Sequence, residues 1–532
     1  MAITMESNQH GKGSIMKMSK VIATVLLAVV LTASAAMAAD AIKLKTSKEI
    51  KSSNFGTHTH FGQWWDYKKV MPLIEKAGFK WIRDDGAFWH RLEREKGVFK
   101  FPQYANDWVN DAQARGIDVV MLIGNAPPKH YSFKDFEKFK EAYARYCTFM
   151  AETFKGRVKV WEMWNEPTNF DIRRAFGGSW NAKEGKDTVW LQRLVDITEV
   201  AAKAIRSVDP DVIIIGGANA SPTATYHMLD MLKDRKLLHL LDGITIHPYS
   251  YYMPPEILPY GGKAMEERDG ISIADDDHTY LSFVRRLKEK MKSVGMKNTD
   301  IYVTEDGYHT YYRDGKHGNG GGDYVFKAFK ESTQAKYLAR RFVLHRIAGI
   351  KVAIQYDFQD DGHDIKICEQ TAGLVKDASH NFAPKPSFFA MQRICSLLDN
   401  TAEVFTPAWS VTLSQDRFAP SKWIFVEPYL IWDGEKIDSL NRAEKYLFKN
   451  KETGEVMLVL WHAIRVTDRQ DLISDVTLDT VAYTGFSGID IMTGKSFKVN
   501  ASVKDGKTVF KDVIIPDYPV IIRMTPKNRN LK

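Results

Sequence analysis

From about residue 52 the chain alternates short apolar runs with longer stretches whose apolar residues recur every three or four positions. Eight runs read as strands: Phe55–His60, Lys80–Asp84, Asp118–Ile123, Val158–Met163, Val212–Gly216, Gly243–His247, Ile301–Thr304 and Lys351–Tyr356. Val212–Gly216 is apolar without alternation, as expected of a strand in a parallel sheet covered on both faces. Between the runs lie amphipathic stretches. The clearest, Asp135 to Phe154, puts Phe136, Phe139, Tyr143, Cys147, Met150 and Phe154 on one stripe. Another begins at Thr188 and aligns Leu194, Ile197, Ala201 and Ala204, while Pro72 blurs the start of the first helix. Eight strand–helix alternations predict an α/β fold of the (β/α)8 TIM-barrel kind rather than a doubly wound sheet.

After about Asn400 the helical period stops. Short runs such as Glu455–Trp461 and Val513–Met524 alternate with turn signals such as Met492-Thr-Gly494 and Asp505-Gly506. This reads as a C-terminal antiparallel β-sandwich. At the other end, Lys17 and Lys20 precede the apolar run Val21–Leu31, and Ala36-Met37-Ala38 fits a signal-peptidase site. The expected organisation is a signal peptide over 1–38, a barrel over 39–398 and a sandwich over 399–532. Export to the periplasm or the extracellular space follows. The apolar run is short for a bilayer span and no later stretch qualifies, so no stable membrane insertion is expected once the leader is removed.

Composition narrows the partners. Net charge falls from +8 to +6 on leader removal, because that segment carries Lys12, Lys17 and Lys20 against Glu6. The basic residues are dispersed along the chain, which argues against nucleic acid as a partner. With 13 Trp, 22 Tyr and 28 Phe, some rings can serve as flat platforms in a carbohydrate cleft while most build the core. Three cysteines are too few for a disulfide framework; Cys147 reads as core, and an exported chain leaves room for one Cys368–Cys395 bridge. No His/Cys spacing suggests zinc, and Gly318–Gly322 lacks the lysine of a phosphate loop, so neither metal nor cofactor is expected.

In a barrel of this kind the chemistry sits at the C-terminal strand ends. The segment Val158–Phe170, VKVWEMWNEPTNF, places Glu166 just beyond the fourth strand, and Ile301–Gly307, IYVTEDG, places Glu305 at the end of the seventh. Strands four and seven face each other across a barrel mouth. Two opposed carboxyl groups are what glycosidic cleavage needs, one protonated to help the sugar oxygen leave and one ionised at the anomeric carbon.

Asn165-Glu166-Pro167 after one strand and Glu305 after a later one resemble the clan A glycoside hydrolases, retaining enzymes on (β/α)8 barrels. The resemblance extends to Arg83 on the second strand and to His247 and Tyr249 in Ile-His-Pro-Tyr after the sixth. Trp-Asn-Glu-Pro-Thr-Asn, the segment 357–362 (DFQDDG) and the terminal sandwich are most similar to glycoside hydrolase family 39 and its relatives. The resemblance implies an oligo- or polysaccharide substrate with β-linkages, Glu166 as acid/base and Glu305 as nucleophile. It implies that Asn165 meets the sugar 2-hydroxyl, that Arg83 favours an ionised Glu305, that Tyr249 bonds to Glu305 and that His247 shapes the floor. Apolar neighbours such as Trp164 would keep Glu166 protonated. His60, Trp89, Asn125, Trp164 and Tyr356, at strand ends, are candidate sugar contacts, whereas His58 and Glu162 read as interior structure. One departure concerns the eighth strand, where many clan members carry a tryptophan; here Gln355 or Tyr356 takes that place. Two other readings use the same residues: a non-catalytic glycan-binding barrel and a transglycosylase. A pure binder has no need of an opposed acid and nucleophile.

Overall fold

The computed structural model describes residues 42–527 except 125–126, 168–180, 219, 252, 311–329, 419–428, 431–435, 438–439 and 467–470. The expected signal peptide, Asn125 and the Gly318–Gly322 patch therefore lie outside the described residues.

The eight apolar runs form strands β1 (Phe55–His58), β2 (Trp81–Asp84), β3 (Asp118–Ile123), β4 (Val160–Met163), β5 (Ile213–Gly216), β6 (Gly243–Ile246), β7 (Ile301–Asp306) and β8 (Val352–Gln355). Each pairs in parallel with the next, and β8 closes on β1 through Phe55–Ala353 and Gly56–Ile354. Successive side chains point to opposite faces of a strand. Val120, Val160, Ile215, Tyr302, Val352 and Ile354 accordingly plug the barrel interior. Their neighbours Val119, Met121, Trp161, Ile214, Val303 and Ala353 pack outward in the large core shared with the helices. Both faces are dry, which is why these strands show no polar alternation.

The surrounding helices are α1 (Tyr67–Ala77), α2 (Gln103–Ala114), α3 (Phe136–Phe154), α4 (Val189–Val208), α5 (Pro222–Asp234), α6 (Tyr280–Val294), α7 (Glu331–Ile347) and α8 (Pro386–Leu397). Caps explain several starts. Asp66 accepts from the Lys68 amide, Asp135 from Lys138, Ser221 from Ala224 and Thr279 from Ser282. Pro72 lies inside α1 and leaves one helical bond unmade without ending the helix. Cys147 is buried in α3, and Cys368 and Cys395 are free thiols, so the bridge between them is not formed.

Beyond α8 two antiparallel sheets stack. The larger orders its strands Ser496–Phe497, Tyr483–Asp490, Val520–Pro526, Val456–Ala463, Arg442–Asn450 and Ala402–Val404. The smaller orders Val411–Leu413, Leu472–Leu478, Lys507–Ile515 and Asn500–Lys504. Strand Val456–Ala463 is buried throughout and has a different partner on each face. Val456, Leu458 and Leu460 fill the core between the sheets, while Met457, Val459 and Trp461 join the barrel core. A polar lock reinforces the contact. Arg340 of α7 is fully buried, donates from Nε to Glu256 at 2.9 Å and from Nη1 to the Ile464 carbonyl at 2.9 Å. Trp461 donates from Nε1 to the same Glu256 at 2.7 Å.

Candidate active site

The C-terminal ends of β2, β4, β6 and β7 converge on one cluster. Its hub is Arg83, whose guanidinium is fully buried. Nε donates to Glu162 Oε2 at 2.5 Å, Nη1 to Glu305 Oε1 at 2.7 Å and Nη2 to Asn165 Oδ1 at 2.8 Å. Burial alone would make the cation harder to hold, but the carboxylates of Glu162 and Glu305 reverse this and raise its pKa further. The neighbouring Asp84 points the other way. Its carboxylate accepts from Thr59 Oγ1 and from the amides of Phe61, Gly62 and Gly86, fixing the turn after β1. Arg83 and Asp84 are thus not an ion pair with each other.

Glu166 reaches the mouth through an unusual exit from β4. Trp164 has φ 67° and Glu166 φ 36°, a left-handed conformation that costs a non-glycine residue of order 1–3 kcal/mol. The Trp164 amide donates to the Ile123 carbonyl at 3.0 Å, and its ring packs edge-on to Tyr143. Gly124 makes this possible: a Cβ there would lie 2.4 Å from Trp164 Cε3. Further on, the Pro167 carbonyl accepts from Trp190 Nε1 of α4 at 3.0 Å. Trp164 is turned away into the core and is 1% exposed, so it does not wall the cleft as expected; its role is to brace Asn165 and Glu166.

A bulge serves Glu305. Along β7 the register advances from Val303 to Asp306 while β8 advances only from Ala353 to Gln355, so β7 carries one extra residue. Two consecutive side chains, Thr304 and Glu305, therefore both reach the site. Glu305 Oε2 accepts from the Tyr249 hydroxyl at 3.0 Å, and burial followed by the Glu305 charge keeps that phenol protonated. Asp306 points outward to Arg341, 3.2 Å away.

His247 joins the two halves. Its Nδ1 lies 2.8 Å from Glu166 Oε1 and 3.6 Å from Glu305 Oε2, and its Nε2 lies 3.0 Å from Thr304 Oγ1. Thr304 donates its hydroxyl proton to Glu162 Oε1 at 2.7 Å, so its oxygen is left to accept from His247 Nε2–H. That fixes one ring nitrogen as a donor. The other shares a single proton with Glu166, as a carboxylic acid donating to Nδ1 or as a carboxylate accepting from it. Burial would lower the His247 pKa, but the Glu305 charge and then the Glu166 hydrogen bond outweigh it, and the net direction is up. The contacting oxygens of Glu166 and Glu305 and the His247 nitrogen lie within 4.8 Å of one another. Beside Glu166 opens a cavity of about 560 Å³ walled by Tyr249, Tyr251, Tyr260, Ser221, Thr223, Lys183 and Arg268.

A family model described as cellulase (glycosyl hydrolase family 5) matches residues 45–307, a span that contains both Glu166 and Glu305. A family 39 glycoside hydrolase from Bacteroides cellulosilyticus WH2 superposes with TM-score 0.63 at 21% identity, over 91% of this chain and 83% of that one. In fold and in the matched segment the chain resembles the clan A glycoside hydrolases. A family 30 xylanase C from Talaromyces cellulolyticus shares the fold at TM-score 0.50 and 11% identity, over 91% of this chain and 99% of that one. An endo-1,4-beta-xylanase A from Phanerodontia chrysosporium is 27% identical over 216 residues, 38% of this chain. The chain spans half the length of that relative.

The remaining candidate positions divide. Tyr356 sits at the β8 exit with its ring 5.0 Å from that of His58. Of the two eighth-strand candidates, Gln355 is buried and bonded to Thr57 Oγ1 at 3.1 Å. His60 stands beside these rings, 93% buried and stacked on Trp64. Trp89 is fully buried: it stacks on Tyr146 and donates to Glu93 at 2.7 Å, so it packs the core and offers no face to a sugar. Thr304 and Tyr251 were not anticipated. For Thr304 the only sequence signal is its place before Glu305.

Proposed function

We propose that the protein cleaves β-glycosidic bonds of oligo- or polysaccharides with retention of anomeric configuration, Glu305 acting as nucleophile and Glu166 as acid/base. The spacing of the two carboxylates carries this reading. Retaining pairs stand about 5–5.5 Å apart and inverting pairs about 6.5–9.5 Å, the latter leaving room for a water on the far side of the sugar. The contacting oxygens of Glu166 and Glu305 lie within 4.8 Å of each other, which supports the retaining arrangement.

The environments assign the roles. Glu305 receives hydrogen bonds from Arg83 and Tyr249, which hold an anion in place to attack the anomeric carbon. Glu166 faces His247 and shares a proton with it, so an acid is at hand for the departing oxygen. The aglycone oxygen takes that proton as its bond to the anomeric carbon breaks and the bond to Glu305 forms. Water enters next, gives a proton back to Glu166 and displaces Glu305. Asn165, its carbonyl oxygen held by Arg83, presents its NH2 group. The sugar 2-hydroxyl oxygen is the acceptor we assign to it. Arg83 offsets only one of the Glu162 and Glu305 charges, and the shared proton leaves the Glu166–His247 pair neutral. The cluster is therefore net negative, which suits the positive charge that grows on the sugar ring.

Similarity to an endo-1,4-beta-xylanase favours β-1,4-linked xylose chains as the first substrates to try. Export with cleavage after Ala38 completes the reading, and N-terminal sequencing of the mature chain tests it. For the reaction, product anomers are followed by proton NMR on xylan oligomers and aryl β-glycosides. Retention is expected, with Glu305→Ala and Glu166→Gln each slowing turnover by about 10²-fold or more while folding normally. Inversion, or near-normal turnover by either variant, refutes the assignment.

A further inference from the structure

A second cluster lies where the exits of β1 and β8 meet. We infer that His60, Asp357 and Asp361 form a binding site for one divalent transition-metal cation, Zn²⁺ or Mn²⁺. His60 Nε2 stands 3.7 Å from Asp357 Oδ2 and 3.5 Å from Asp361 Oδ2, and the three ligand atoms lie within 4.8 Å of one another. These separations are long for hydrogen bonds. They are the separations imposed by a shared cation: two ligands at about 2.1 Å, subtending tetrahedral to trigonal angles, stand roughly 3.4–3.6 Å apart.

Among the described residues, the polar atoms of His60 and Asp357 are otherwise unmet. Both ring nitrogens of His60 and both carboxylate oxygens of Asp357 are buried without a hydrogen bond among the described residues. Glu166, His247 and Glu305 are just as close together, but there hydrogen bonds fill the space. A buried carboxylate without donors or a counter-charge is costly, and among the described residues the cations beside it, Lys385 and Arg83, are engaged elsewhere. Lys385 binds Asp360 at 2.6 Å, and Arg83 donates to Glu162, Glu305 and Asn165. A dication beside one neutral imidazole and two carboxylates leaves the cluster neutral. The imidazole donor favours a transition metal over calcium, which takes oxygen ligands.

The surroundings hold the ligands in position, as outer-shell groups do at metal sites. Asp361 Oδ1 accepts from Trp65 Nε1 at 2.9 Å. The His60 ring lies between Trp64, stacked at 5.2 Å, and the edge of Trp65 at 5.0 Å. A cation here would tie the first strand to the last beside Tyr356. Sequence spacing could not show it, because the ligands lie about 300 residues apart, after the first and the last strand of the barrel.

The test uses the full-length protein, stripped with a chelator and dialysed, then titrated with ZnCl₂ or MnCl₂ by calorimetry and analysed for metal after desalting. One equivalent is expected in the wild type, with a raised Tm, and none in Asp357→Asn or His60→Gln. Should those variants misfold, Asp361→Asn, on the most exposed ligand, gives the same comparison. Co²⁺ added to the wild type gives a direct reading, visible absorption bands of a low-coordinate site. The proposal is overturned if the wild type retains no more metal than Asp357→Asn, or if binding survives in Asp357→Asn and is lost in His247→Gln. The latter would place the ion at the catalytic pair.

Discussion

Replacing His247 by Gln probes the shared proton most directly. Gln keeps a polar group near Thr304 and Glu166 but cannot take up a proton. In the wild type the His247–Glu166 pair holds one proton between atoms 2.8 Å apart, in a site where His247 is 6% exposed. A hydrogen bond to a charged group is worth about 1.5–3 kcal/mol. At about 1.4 kcal/mol per pH unit, the bond extends the range over which the pair keeps its proton by roughly 1–2 units. The acid is needed below the apparent pKa of the pair and is lost as pH rises through it. The alkaline limb of kcat/KM in His247→Gln should therefore move to lower pH by roughly 1–2 units.

The assay compares two aryl glycosides, one with a poor leaving group and one whose phenolate departs without help. Only the first needs a proton from Glu166 in the bond-breaking step. Its kcat/KM should fall about 10- to 100-fold at neutral pH in the variant, while the activated substrate is nearly unaffected. A purely structural defect would slow both alike. Stability gives an independent reading with a definite sign. The folded-state pKa of His247 is raised from 6.5, so its contribution is present in full below that value and is lost as pH rises through the folded pKa. The Tm difference between wild type and variant should be largest in acid and should close toward alkaline pH. Profiles that superimpose for both substrates would refute the shared-proton account.

Three further outcomes are expected. Tyr249→Phe removes the 3.0 Å bond to Glu305 and should lower kcat/KM about 10- to 100-fold with little change in Tm; an unchanged rate would mean that the bond does not hold the nucleophile. Gly124→Ala puts a methyl 2.4 Å from Trp164 at φ 118° and should cost about 1–3 kcal/mol by urea denaturation, with a larger loss of kcat than of substrate affinity as Glu166 moves. Arg340→Met leaves Glu256 buried without its cation and should cost about 3–5 kcal/mol, read as a lower Tm of the whole chain. If the sandwich alone melted earlier, Arg340 would not couple it to the barrel.

The residues legible in the sequence share a property: each acts through its place in a repeating pattern. Eight dry strands announce themselves by unbroken apolar runs, and in a closed barrel a polar residue at such a run's end has only the mouth to occupy. That logic finds Glu166, Glu305 and His247, and it places Glu162 inside the barrel. It fails where the chain leaves the pattern. The β7 bulge lets Thr304 and Glu305 reach the same site, so strict alternation from Tyr302 would turn Glu305 to the outer face. Trp164 adopts φ 67° and turns into the core, although an aromatic beside a catalytic carboxylate reads from sequence as cleft wall. Trp89 fails for a related reason. It follows β2 closely enough to suggest the mouth, but the short helix Trp89–Leu92 carries its ring beneath Tyr146. Strand Val456–Ala463 gives the converse lesson: its unbroken burial resembles a barrel strand, yet it arises because a sandwich strand packs on the barrel with its outer face. Positions read correctly depend on period and strand order; those misread depend on single backbone torsions, which composition and spacing do not encode.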